Sequence, residues 1–205
     1  MDDTSSRRTR RARVPSEIRR GQLVEAARRV FADAGYDGAS TAAIADAADC
    51  QETVLYRHFP SKIALLREVL AAIRVGSLGP AITSAEAPGA EPIVAAALSD
   101  EEMRRDLGIV VSAISVAHRD PDVADALVDA FGAARAMIVA VVTDGRERGR
   151  IRADADPEAV AWLWQGLVLA SVMRDSVRRD GVADGAVAAA RLLDGLLDPA
   201  AGTPG

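Results

Sequence analysis

Residues 40–62 read STAAIADAADCQETVLYRHFPSK and contain two short helical patterns separated by a tight turn. Ser40 or Thr41 can cap the first pattern, and Pro60 ends the second. The positions that face inward at helical spacing would form a small core, namely Ile44, Ala45, Ala48, Leu55 and Phe59. Two short helices joined in this way predict a helix-turn-helix, in which the second helix presents side chains to the major groove of DNA.

Helical spacing continues on both sides of this stretch. Apolar stripes predict a helix from Ser16, which Gly35 ends, and another that Ser61 caps. Residues 76–92 are typical of a loose connection. Further helices are predicted near Ile93–Leu98, after the capping box Ser99-x-x-Glu102, from Asp120-Pro121 to about Gly149, from Asp156-Pro157, and from about Gly185 to Leu197. Because no segment alternates with period two, the predicted fold is all-α.

The basic residues are concentrated at one end of the chain. Residues 1–74 carry 13 Arg and Lys against 10 Asp and Glu, whereas the whole chain has 25 against 30 and a net charge of −5. A mildly basic N-terminal region on an acidic body suits a protein that touches DNA at one end. We therefore predict a flexible basic arm (1–15), a helix-turn-helix domain (16–60), a helical body (61–198) and a tail (199–205).

The motif as a whole resembles the DNA-binding domain of the TetR (tetracycline-repressor) family over about residues 16–70. The resemblance is carried by VFADAGY at 30–36, Ser40-Thr41, Ile44-Ala45, LYRHFPSK at 55–62 and Leu65-Leu66; GRIR at 149–152 and DPE at 156–158 more weakly resemble its second domain. It implies a C-terminal helical domain that binds a ligand and dimerises. It also implies a ligand-responsive regulator, expected to be a repressor, that binds a palindromic operator and is released by a small molecule.

The resemblance assigns phosphate contacts to Thr41, Tyr56, His58 and Lys62. Partial burial between helices is the alternative for Tyr56 and His58, and a solvated charge beside a helix cap is the alternative for Lys62. The rest of the predicted DNA surface lies on the recognition helix, at Gln51, Glu52, Thr53, Val54 and Arg57.

Four positions depart from the family pattern in and around the turn. Asp49 stands where Gly is usual, Gln51 where Ser or Thr usually caps the recognition helix, and Val54 where Thr is common. Glu52 can accept a hydrogen bond from the exocyclic amine of cytosine but repels phosphate. The alternative function is therefore a TetR-like dimeric ligand- or protein-binding module with weakened DNA binding.

The three helices between residues 100 and 175 carry more apolar surface than one stripe each, with a few polar groups among it. This pattern predicts a pocket for an uncharged or weakly polar organic effector. The candidate lining residues, each of which also fits an ordinary core or helix position, are Met103, Ser112, Ser115, His118, Phe131, Met137, Trp164 and Gln165. A shift of the helix from Ser61 to Val75 would couple this pocket to DNA.

The last two helices are predicted to form a homodimer. The helix at 157–175 is apolar on two faces, and the helix at 185–197 is rich in small residues, which leaves much apolar surface for a monomer. Two copies would form a four-helix bundle about a two-fold axis. A charge at Leu193 or Leu196 is therefore expected to abolish dimer and DNA binding together.

Other classes of protein find little support in the sequence. His58 and His118 lack a nucleophile motif, and neither a phosphate-binding loop nor metal-ligand spacing occurs, so we expect no enzyme, cofactor or metal site. Cys50 is interpreted as an ordinary small side chain, because Asp49 and Glu52 oppose thiolate formation. No secretory signal is recognised and the apolar stretch 159–173 is too short to span a bilayer, so we expect no membrane association and a cytoplasmic location.

Overall fold

A computed structural model describes residues 15–73, 89–177 and 182–202, where every regular element is a helix. This confirms the predicted all-α class. The elements are α1 (Ser16–Gly38), α2 (Thr41–Ala47), α3 (Glu52–His58), α4 (Lys62–Ile73), α5 (Ala90–Ser99), α6 (Glu101–Ala117), α7 (Pro121–Glu147), α8 (Pro157–Val177) and α9 (Val182–Leu197), followed by a 3-10 turn at Pro199–Gly202.

Local capping signals set several of these boundaries. The Ser40 hydroxyl accepts the Ala43 N–H, and the Asp120 carboxylate accepts the Val123 N–H beside a proline at the first helical position. Gly35 has a φ of 69°, a left-handed conformation that favours glycine, and it breaks α1 as predicted. One further turn, ending at Gly38, continues beyond this break.

Three predicted boundaries are wrong. Asp100, not Ser99, caps α6, because its carboxylate accepts the Met103 N–H at 2.9 Å, whereas Ser99 belongs to α5 and donates to the Ala95 carbonyl. Part of the predicted loose connection is helical, since α5 already begins at Ala90. The last helix begins at Val182, three residues before the predicted start. The remainder of that connection, and the arm before Pro15, lie outside the described residues.

A head of α1–α3 and a body of α5–α9 are joined through α1 and α4. Helix α1 packs along α6, and α4 packs against α1, α6 and α7. One apolar cluster runs from the head into α6 and α7, and a second surrounds Trp164 and draws on each of the helices α5 to α9. The recognition helix α3 therefore stands on a core that continues into the body.

Among the described helices, α7 alone is long and apolar enough to cross a bilayer, with a mean hydropathy of 1.8 over 18 residues. It is a different segment from the apolar stretch 159–173, which was judged too short to span a bilayer. Helix α7 packs against α4, α6 and α8. Because the core helix of a soluble protein passes the same test, this helix is weak evidence for a membrane protein.

Candidate DNA-binding face and ligand cavity

The turn between α2 and α3 accommodates two of the residues that depart from the family pattern. Asp49 has a φ of 50°, a left-handed conformation in which glycine is the least strained residue and aspartate is among the better tolerated alternatives. Gln51 occupies the N-cap of α3 with extended backbone angles but makes no side-chain cap hydrogen bond. Both residues keep the path of the chain, at a cost in local stability.

The predicted small core of the motif is present. Ile44, Ala45, Leu55 and Phe59 are buried, and Ala48 is half-buried. These residues fix the angle of α3, so that Gln51, Thr53, Tyr56 and Arg57 are exposed on it while Glu52, Val54 and His58 are half-buried. The structure thus gathers the nine candidate DNA contacts on or beside α3, where Thr41 begins α2 and Lys62 begins α4.

Three of these candidates form a hydrogen-bonded chain. The Thr41 hydroxyl donates to the Glu52 carboxylate, and its oxygen lies 3.1 Å from the Tyr56 hydroxyl. Since a threonine hydroxyl has one proton and a carboxylate only accepts, Tyr56 is the donor to Thr41. Tyr56 remains 49% exposed.

Lys62 is turned toward the protein rather than toward solvent. Its Nζ donates to the carbonyls of Tyr36 and Ala39 at 2.8 and 3.0 Å, and it lies 4.3 Å from the centre of the Tyr36 ring. Burial lowers the pKa of Lys62, partly offset by Asp120. The ammonium has three protons, so one is left for the predicted phosphate contact.

Arginines of α1 brace the motif in a similar way. Arg19 donates to the Ala48 carbonyl at 3.2 Å, which holds the end of α2. Arg20 donates to the His58 carbonyl at 3.1 Å and to Glu68 at 2.5 Å, and its guanidinium lies 4.3 Å from the centre of the Phe59 ring. These cations hold the recognition helix in position.

Cys50 is half-buried in the turn. Burial raises the pKa of its thiol, with smaller raising contributions from Asp49 and Asp46 and a lowering one from Arg19. The thiol is therefore the favoured form, in agreement with an ordinary small side chain.

A second feature is a cavity of about 480 Å³ in the body. Helices α4 to α8 all contribute to its wall, which is almost entirely apolar. Arg135 is the one charged residue among those lining it, and Gln165 uses its side-chain amide to donate to the Phe131 carbonyl at 2.8 Å. The volume lies within the range of small-molecule sites.

Three of the eight predicted ligand residues line this cavity, namely Phe131, Trp164 and Gln165. Met103 is buried in the second core and Met137 packs partly against it. Ser115 and His118 are exposed at the end of α6. Ser112 lies at the joint between head and body, where its hydroxyl accepts the Tyr36 N–H at 3.3 Å and donates to the Ile109 carbonyl.

Some residues of the cavity wall come from outside the three helices that were predicted to form it. Leu70 and Ile73 enter from α4 and Ile93 from α5. In the sequence they belong to ordinary apolar stripes, so no local signal separates them from core. Their presence in the wall shows that α4, which carries Lys62 at its start, borders the cavity at its end.

The joint between α1 and α6 contains a buried ion pair. Asp106 is 1% exposed, and its two carboxylate oxygens accept from Arg28 Nε and Nη2 at 2.5 and 2.8 Å. Arg28 also donates to Glu102 at 2.6 Å. Arg119 pairs with Asp37 at the same joint. The head is thereby held to α6 by charged groups.

Apolar side chains remain exposed on the outer faces of the last two helices. On α8 they are Leu163, Met173, Val177 and Trp162, of which Trp162 also lines the cavity, and on α9 they are Leu192 and Leu196, which are 73% and 64% exposed. Leu193, by contrast, packs partly against the chain's own core.

Two family models match this sequence. The one described as bacterial regulatory proteins, tetR family, covers residues 23–69, and the one described as tetracyclin repressor-like, C-terminal domain, covers residues 109–193. The chain is also similar to the HTH-type transcriptional activator FasR of Mycolicibacterium smegmatis, with 50% identity over 58 residues. That match spans 28% of this chain and 26% of FasR.

Solved structures match over most of the chain. A TetR-family transcriptional regulator from Rhodococcus sp. aligns with a TM-score of 0.74 and 18% identity, covering 86% of this chain and 98% of that one. GusR of Salmonella enterica aligns with a TM-score of 0.66 and 27% identity, covering 90% and 97%. A transcriptional regulator from Saccharomonospora viridis in complex with choline aligns with a TM-score of 0.65 and 20% identity, covering 86% and 95%.

Proposed function

The chain belongs to the TetR family of bacterial regulatory proteins, and from that premise we propose that it is a ligand-controlled repressor. Regulators of this family are DNA-binding transcription factors, not enzymes. We propose that two copies bind a palindromic operator in the cytoplasm and leave it when a small molecule fills the cavity of the body. The observation that carries this proposal is that α4 joins the cavity, at Leu70 and Ile73, to the DNA-binding face, at Lys62.

DNA selection is tested with the purified full chain and a library of genomic fragments. We expect enrichment of fragments that share one inverted repeat, with affinity that falls steeply as salt increases. If no fragment is preferred over random DNA at low salt, the repressor is refuted and the module with weakened DNA binding takes its place.

The effector is proposed to be uncharged or weakly polar, because the cavity wall is almost entirely apolar. N-phenyl-1-naphthylamine is a suitable probe, since a cavity of this volume takes on the order of 15–20 non-hydrogen atoms. We expect its fluorescence to rise on binding and metabolites that displace it to release operator DNA. Ile138→Trp, which fills the cavity, should abolish the signal, whereas Leu192→Gln on the outer face of α9 should not. Binding that survives Ile138→Trp would place the probe elsewhere.

Dimerisation is proposed through the exposed faces of α8 and α9. Leu192→Glu and Leu196→Glu place charges on the exposed face of α9 without disturbing the core of the subunit. We expect monomers by light scattering at micromolar concentration, unchanged helical circular dichroism and loss of operator binding. Leu193→Glu is the contrasting variant, because that residue packs partly against its own subunit and should also lower stability. A monomeric wild-type protein would refute the dimer.

We propose repression rather than activation, because a dimer bound to a promoter obstructs RNA polymerase without needing any contact with it. FasR is named an activator, but its similarity is confined to 58 residues. A promoter-reporter strain with and without the gene distinguishes the two signs: loss of the gene should raise expression, and a fall would make the chain an activator.

A further inference from the structure

Glu52 is hydrogen-bonded to the hydroxyl groups that the proposed function needs as donors to phosphate. Thr41 and Tyr56 are the two hydroxyl groups of the expected phosphate contact, and Thr41 donates to the Glu52 carboxylate while Tyr56 donates to Thr41. Glu52 and Tyr56 are four residues apart on α3 and therefore share one helix face. Both hydroxyl protons are thus used in a series of hydrogen bonds that ends on the negatively charged Glu52 carboxylate.

DNA binding must break this chain. A phosphate oxygen only accepts hydrogen bonds, so Thr41 can donate to it only by turning its proton away from Glu52, and Tyr56 only by turning its proton away from Thr41. Once Thr41 turns away, the Glu52 carboxylate has lost its hydrogen-bond donor and lies beside the negatively charged phosphate. A base amine, on cytosine N4 or adenine N6, is the group in the major groove that can restore a donor to it.

Within the part of the chain that the structure describes, Glu52 forms no ion pair with the cations that brace the motif. Lys62 donates to two carbonyls and Arg20 to a carbonyl and Glu68. Arg57, on α3, is exposed.

We propose that Glu52 is the specificity-determining residue of the DNA-binding face. Glu52 lowers the affinity for any duplex because it engages the hydroxyl groups of Thr41 and Tyr56 that would bind phosphate. A cytosine or adenine amine opposite Glu52 restores the affinity. The inference rests on the proposed DNA-binding function. It adds the residue that makes the binding selective for a DNA sequence.

The test compares Glu52→Gln and Glu52→Ala with the wild type. Affinity is measured by fluorescence anisotropy for a random-sequence duplex and for the duplex that each protein selects from a random pool. We expect both variants to bind the random duplex about fivefold more tightly, as the loss of one like-charge contact predicts. The ratio of selected to random affinity should fall by at least the same factor, and the preference for C or A at one position should disappear.

Asp33→Asn is the matched control, because it removes one negative charge from an exposed position of α1. We expect it to change the random-duplex affinity less than twofold. Circular dichroism and melting confirm that all variants fold. An equal gain with Asp33→Asn, or an unchanged random-duplex affinity with both Glu52 variants, would overturn the inference.

Failure of the proposed function has a different outcome. In that case neither the wild type nor any variant selects a sequence. If the wild type selects a sequence and the Glu52 variants keep its affinity and preference, only the role of Glu52 is refuted.

Discussion

Two joints connect the DNA-binding head to the body, and they differ in chemistry. At the α1–α6 joint, Arg28 binds the buried carboxylate of Asp106 through two nitrogens. At the α4–α7 joint, the contact is apolar, runs along the cavity, and carries an ion pair between Arg67 and Asp129 that is largely exposed.

This difference assigns the joints separate roles. A bidentate Arg–carboxylate pair has one favourable geometry, and misplacing it leaves a buried charge without compensation. Apolar contacts are non-directional and can shift with small changes in free energy, especially beside an empty volume. We therefore expect α1 to be the fixed attachment and α4 the element that a ligand moves.

The largest effect should follow from breaking the fixed joint. Arg28→Ala removes the bidentate partner of the buried Asp106 carboxylate, which is expected to cost about 3–5 kcal/mol of unfolding free energy. Urea unfolding followed by circular dichroism measures this loss. The double variant Arg28→Met/Asp106→Leu removes both charges and should recover most of it. A loss below about 1 kcal/mol for the single variant would show that the pair does not hold the joint.

A matched pair of truncations compares the packing of the two joints. Ile109 in α6 is fully buried in the core shared with the head, whereas Ile73 in α4 borders the cavity. Ile109→Ala should cost about 4 kcal/mol and Ile73→Ala about 2 kcal/mol, because space beside Ile73 is already empty. Thermal and urea unfolding of both variants provides the comparison, and equal losses would contradict the difference in packing.

Lys62 connects α4 to the head, so its removal should affect both stability and DNA. Lys62→Met keeps the stem but leaves the Tyr36 and Ala39 carbonyls without the ammonium, which should cost about 1–2 kcal/mol. The phosphate contact that the resemblance assigns to Lys62 would by itself predict a loss of DNA binding alone. Operator affinity should also fall, with a salt slope lower by about one if the third proton meets a phosphate. An unchanged slope would leave Lys62 with its structural contacts only.

The sequence predicted what depends on neighbours along the chain. Helix periods, the Ser40 and Asp120 caps, the break at Gly35 and the small core of the motif all follow from local chemistry. The capping box at Ser99 failed because Asp100, one residue on, is an equally good cap and accepts the Met103 N–H instead.

The sites depend on packing between distant segments, and there the sequence was less informative. The spacing that predicted Ser112 as a pocket residue does place it on α6, but the hydroxyl faces the break in α1 at Gly35. Conversely, Leu70 and Ile73 line the cavity only because α4 crosses the body. Likewise, nothing in the local sequence around Lys62 indicates that its ammonium also binds the carbonyls of Tyr36 and Ala39.

The smallest effect should come from the ion pair of the movable joint. Arg67 and Asp129 are both substantially exposed, so Arg67→Ala should cost less than about 1 kcal/mol and the cost should shrink in high salt. Melting at two salt concentrations measures it. A cost as large as that of Arg28→Ala would remove the distinction between the joints.

Hydrogen exchange of the free wild-type protein tests the central claim most directly, because it measures the opening of each helix separately. We predict that amides of α4 from Leu66 to Ile73 exchange through local opening, at least tenfold faster than those of α1 from Leu23 to Phe31, which should open only on global unfolding. A ligand that fills the cavity should slow the α4 amides and leave the α1 amides unchanged. Protection of α4 equal to or greater than that of α1 would contradict the assignment of α4 as the moving element.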